Sequence, residues 1–146
     1  MRVMVLVKAT KESEAGVMPT EQMLREMSDY NEKLVNAGIM RAAEGLQPSS
    51  RGKRVVFDGT TTRVIDGVVG KTEELVAGFW IWDVKSMDEA VAWARQCPSP
   101  MPNSRESALE LRPIATTDDF GEAMTPELRT KEKKLAQQIE RQNARP

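Results

Sequence analysis

LVAGFWIWDV, residues 75–84, decides the fold. The run has strand length and is rich in aromatic and aliphatic residues. A strand with one wet face alternates apolar and polar residues, and this one does not. Leu75, Ala77, Phe79 and Ile81 fall on one face, and Val76, Gly78, Trp80, Trp82 and Val84 on the other. Both faces are therefore expected to be covered. The N-terminal strand RVMVLV, residues 2–7, has the same character, with Val3, Val5 and Val7 against Met4 and Leu6. Helices can cover one face of such a sheet. A second copy of the sheet is the economical cover for the other, so the pattern predicts a homodimer.

The flanking segments supply the helices. Thr20 can cap a helix in which Met23, Leu24, Met27, Tyr30, Leu34 and Val35 recur at helical spacing. Gly38 stands where a C-terminal glycine belongs. Ile39 to Leu46 reads as a second strand. Residues 53–57 and 62–65 read as a hairpin turning at Asp58-Gly59. After the central strand, Ser86 and Glu89 have capping-box spacing, followed by Met87, Ala90, Val91, Trp93 and Ala94 on one helical side. Pro98, Pro100 and Pro102 end that helix, and residues 106–112 suit a last strand.

The order is strand, helix, strand, hairpin insert, strand, helix, strand. This is an α+β chain of ferredoxin-like β-α-β-β-α-β plan, with both helices on one face of a four-stranded sheet. Residues 1–115 form that domain. Residues 116–146 read as a C-terminal extension whose helix starts at Thr125-Pro126 and carries a thin stripe of Leu128, Leu135 and Ile139.

Charge and residue type narrow the chemistry. The 146 residues hold 21 basic and 22 acidic side chains. Such balance argues against nucleic-acid binding, which calls for a basic excess. No apolar run is long enough to span a bilayer, and the N-terminal run lacks the flanks of a signal peptide. Cys97 is the only cysteine, so no internal disulfide can form, and a cytoplasmic setting is the simplest expectation. There is no histidine. The usual general base near neutral pH is missing, and neither a metal site nor a cofactor is expected.

Carboxylates remain as candidates for acid/base work. Glu44 lies in a strand among Ala42, Ala43, Gly45 and Leu46, where partial burial would raise its pKa. Pairing with Arg41 or Arg63 is the competing structural role. Asp66 and Glu73 are its candidate partners, although Asp66-Gly67 is a turn signal first. Gly67, Lys71, Thr72 and Trp80 are candidate ligand contacts. Cys97, next to Pro98, reads as a buried, inert thiol.

The chain as a whole resembles a YCII-related protein of the branch named after a DGPF motif. The resemblance runs through RVMVLVKA (2–9), SEAGVMPTEQM (13–23) and NEKLVNAGIMRAAEGLQPSS (31–50). It continues in residues 64–98, from VIDGVVGKTEEL to ARQCP, and in LELRPI (109–114) and DDFGEAMTPELR (118–129). It implies a ferredoxin-like fold pairing sheet to sheet as a dimeric α/β barrel, with a pocket at the sheet. It also implies either a small-molecule enzyme or a ligand-binding regulator, some relatives standing beside sigma factors. The naming motif is incomplete: Asp66 and Gly67 are kept, while Val68 and Val69 replace its Pro and Phe. The His-Asp pair proposed for better-studied relatives cannot exist here. By motif position, Glu44, Asp66, Gly67, Lys71, Thr72, Glu73 and Trp80 are the pocket candidates that the resemblance implies.

Overall fold

The computed structural model describes residues 1–67, 70–101 and 103–145. Val68, Val69 and Pro102 lie outside them. Two compact units follow one another, Met1–Ile114 and Ala115–Pro146.

In the first unit β1 (Arg2–Lys8), α1 (Lys11–Glu14), α2 (Glu21–Asn36) and β2 (Met40–Gly45) lead to a hairpin, β3 (Lys53–Asp58) and β4 (Thr61–Asp66). Then come β5 (Val76–Asp83), α3 (Met87–Ala94) and β6 (Leu109–Pro113). Four strands form an antiparallel sheet in the order β2-β5-β1-β6, and β3 and β4 pair apart from it. That order, with the two long helices in the crossovers, is the ferredoxin-like arrangement.

Register sorts the side chains. Val3 faces Trp82 and Val5 faces Trp80 across β1 and β5. These four join Tyr30 and Leu34 of α2 and Ala90 of α3 in one buried cluster. The Tyr30 hydroxyl donates to the Trp93 carbonyl at 2.8 Å, tying α2 to α3. The other face pairs Met4 with Ile81 and Leu6 with Phe79, and all four are only half-buried. Residues 75–77 depart from simple alternation. A bulge leaves Ala77 without a Cα partner on β1, and Ala77 packs against the core instead.

Local chemistry explains the boundaries. The Thr20 hydroxyl accepts from the Met23 N–H and opens α2. At its other end Gly38 takes φ 71°, while Ile39 N–H bonds the Leu34 carbonyl and Gly38 N–H that of Val35. This is a Schellman closure, and both Leu34 and Ile39 are buried. Ser86 caps α3 through the Glu89 N–H, but the Glu89 carboxylate reaches the Lys85 N–H rather than that of Ser86. The polar stretch after β1 conceals α1, where Thr10 and Ser13 cap one another.

The second unit holds a 3-10 segment, Thr117–Ala123, and α4, Pro126–Asn143. Arg129 knits them together, donating to Asp118 at 2.6 Å and to Thr117 and Met124 at 3.2 Å.

Candidate functional site

The end of the β2–β5 ladder lacks side-chain bulk. Gly45 and Gly78 are Cα partners there. A Cβ on Gly78 would stand 2.9 Å from the Glu44 carbonyl oxygen, so that close strand approach requires glycine. The space left on the helix side forms a cavity of about 280 Å³, open to solvent and bordered by Met27 and Asn31 of α2 and by Pro100 and Met101 of the loop after α3. Ala43 and Trp80 are also part of its wall.

Polar groups are few. The Trp80 indole N–H donates to the Asn31 Oδ1 at 2.9 Å. This fixes the Asn31 amide, whose NH2 group has no partner among the described residues and can donate to a guest. Tyr30 meets the Trp80 ring edge-on, with centroids 6.2 Å apart, and locks it further. Glu44 is the one ionisable residue among the described lining. The cavity can therefore hold a small, mainly apolar molecule that presents an acceptor to Asn31.

The sequence-derived candidates do not converge on this cavity. Glu44 and Trp80 line it. Glu44 is exposed, not partly buried as expected: its Cα pairs with Phe79, which places it on the sheet face away from the helices. It pairs with neither Arg41 nor Arg63 among the described residues; Arg41 instead bonds Asp83 at 2.8 Å. Asp66 sits at the end of β4 and pairs with Lys53 across the hairpin. Gly67 takes φ 78°, and its N–H donates to the Gly52 carbonyl at 2.8 Å, so the Asp-Gly step closes the hairpin base. Lys71 caps a short 3-10 turn, Thr72–Glu74. Within that turn Thr72 is half-buried, while Glu73 lines a different recess with Lys8 and Glu106.

Asn31 and Gly78 were not singled out from the sequence. Asn31 had a signal: it lies one turn after Met27 and just before Leu34, a polar residue on the apolar side of α2. Gly78 had none beyond being a glycine inside the strongest strand. Cys97 is half-buried, and burial pushes its thiol up to about 11. Among the described residues no group of three or more His, Cys, Asp or Glu could hold a metal ion. Among them, too, no helix is long and apolar enough to cross a membrane.

Two comparisons bear on this site. The model of a family described as the YCII-related domain matches residues 1–115. An uncharacterized protein of Rhizobium meliloti (strain 1021) is 30% identical over 95 residues, covering 65% of this chain and 75% of the relative. The matched family residues contain the whole sheet and every residue lining the Trp80 cavity.

Proposed function

The chain belongs to the YCII-related domain family, and from that premise we propose that it is a ligand-binding homodimer rather than a hydrolytic or redox enzyme. One observation carries the reading: the apolar cavity against Trp80, with the Asn31 amide held in place to receive a guest. A prepositioned donor in an apolar wall is what selective binding of a small molecule needs. The ionisable candidates are dispersed, with Asp66 on the hairpin and Glu73 in another recess, which is poor geometry for acid/base chemistry.

The dimer is proposed on the half-buried face of the sheet. Met4, Leu6, Phe79 and Ile81 form a continuous apolar centre there, bordered by Glu44, Glu110 and Arg112. Sheet-to-sheet pairing of two copies would cover it, which is the dimeric barrel implied by the resemblance. A cytoplasmic location and membership of the DGPF-named branch are proposed with it. The regulatory role beside a sigma factor fits a binding dimer better than an enzyme and goes with this reading.

A second reading keeps Glu44 as a proton acceptor at the edge strand, where it borders the cavity although its register with Phe79 sets it on the opposite sheet face. One experiment separates the two. Metabolite libraries are screened by thermal shift, with the Trp80 indole N–H resonance as reporter of occupancy. Binding lost in Asn31→Ala and retained in Glu44→Gln supports the binding module. A ligand that is turned over by the parent chain and left unchanged by Glu44→Gln would replace it with the enzyme. A guest that leaves the indole resonance unmoved would show that it binds elsewhere than in the Trp80 cavity and overturn the reading.

A further inference from the structure

We infer a second binding site, for a small organic carboxylate, in the cleft between the hairpin base and the strand ends of β2 and β5. The cleft has a volume of about 500 Å³. It shares no lining residue with the Trp80 cavity, so the two stand or fall separately.

Three features point to this class of ligand. Arg51 and Arg54 both line the cleft, and neither guanidinium has a hydrogen-bond or ion-pair partner among the described residues. Guanidinium groups seek planar oxyanions, which they bind through paired charge-assisted hydrogen bonds. Leu46, Pro48, Leu75 and Val76 supply an apolar floor. The space is larger than a bare inorganic ion needs, and such a floor favours an anion with a hydrocarbon body. Glu74 lines the same cleft. Two cations against one carboxylate favour a monoanion over a phosphate dianion.

The loop that presents Arg51 is braced before any ligand arrives. Both the N–H and the hydroxyl of Ser49 donate to one Glu14 oxygen, at 3.0 and 2.5 Å. Arg51 N–H bonds the Pro48 carbonyl at 3.0 Å, and Gly52 accepts from Gly67. Less ordering is then left to be done on binding.

Benzoate titrated into the full chain by calorimetry tests the site. We expect saturable millimolar binding. Each of Arg51→Gln and Arg54→Gln should weaken it by about tenfold, the loss of one charge-assisted interaction. Both residues are exposed, so folding should be unaffected, and the unfolding midpoint checks this. Glu74→Gln should tighten binding about twofold by removing the opposing charge. Benzoate heats unchanged in both arginine variants overturn the site. So does the absence of any benzoate heat in the millimolar range. Phenyl phosphate binding tighter than benzoate overturns the choice of a monoanion, and inorganic phosphate binding as tightly as benzoate overturns the role of the apolar floor.

Discussion

The indole N–H of Trp80 donates to the side-chain carbonyl of Asn31 at 2.9 Å, fastening the middle of the sheet to α2. Its neighbour Trp82 is fully buried, and its indole N–H finds no acceptor among the described residues. The two tryptophans should therefore respond differently to the same substitution. Trp80→Phe loses a bond and strands the Asn31 carbonyl. Trp82→Phe loses a similar volume but also removes a donor that was never satisfied. Urea unfolding should show Trp80→Phe to be the more destabilised by about 1–2 kcal/mol. Equal losses, or the reverse order, would mean that the Asn31 bond contributes nothing.

Gly78 and Gly45 face one another and should differ sharply when each becomes alanine. The new Cβ at Gly78 meets the Glu44 carbonyl oxygen at 2.9 Å, and backbone cannot step aside as a flexible side chain could. At Gly45 nothing lies within 4 Å of the added Cβ. Gly78→Ala should cost about 1–3 kcal/mol, the range for overpacking a filled site. Gly45→Ala should stay within about 0.5 kcal/mol of the parent. Chemical denaturation of both variants decides, and a harmless Gly78→Ala would contradict the close strand approach.

Much of this architecture is legible in the sequence for identifiable reasons. The unbroken apolar run around Trp80 and Trp82 marks the central strand, and Thr20 and Gly38 bracket α2 because caps are local chemistry. What is not legible depends on pairing. The bulge at Ala77 has no residue signature, since it arises from the fit of β5 against β1. The exposure of Glu44 follows from its register with Phe79, which composition cannot reveal. The short helix α1 hides in a polar stretch because Thr10 and Ser13, not an apolar stripe, define it. Asp66 shows the limit of motif reading. Its Asp-Gly step serves the hairpin, where Lys53 pairs with the carboxylate and Gly67 bonds Gly52.

The two faces of β1 offer a test of the dimer. Val5 is fully buried under the helices, while Leu6 on the opposite face is half-buried and pairs with Phe79. A charge at Val5 has no exit and should unfold the domain. A charge at Leu6 or Phe79 should leave the fold intact and break the association of two chains. Sedimentation of Leu6→Glu and Phe79→Glu should show a folded species of half the parent mass. A parent chain that is already monomeric at micromolar concentration would refute the dimer outright.

Arg41 and Asp83 bond at 2.8 Å across the β2–β5 edge. The bond from the Arg41 guanidinium, with its charge and that of the N-terminus, holds the Asp83 carboxyl below its usual 3.8; partial desolvation opposes this more weakly. A depressed folded-state pKa contributes stability above the unfolded value, and the contribution is lost as pH falls through the folded one. Acidification from pH 5 to below about 3.8 should therefore lower the melting temperature less in Asp83→Asn than in the parent. Parallel melting curves for the two proteins over that window would remove Asp83 from the acid response.

Cys97 should be a slow nucleophile despite being the only thiol. Burial pushes its pKa up to about 11, and its S–H donates to the Pro98 carbonyl at 3.2 Å. The thiolate is the reactive form, so at pH 8 the native chain presents very little of it. A disulfide reagent such as DTNB should modify the native protein at least about tenfold more slowly than the urea-unfolded chain, the unperturbed thiol titrating near 8.5. Raising the pH from 8 to 10 should speed the native reaction in proportion to the thiolate formed, as long as the fold persists. Rapid modification of the native chain at pH 8 would show that the packing around Cys97 opens, and would return the thiol to the set of groups available for chemistry.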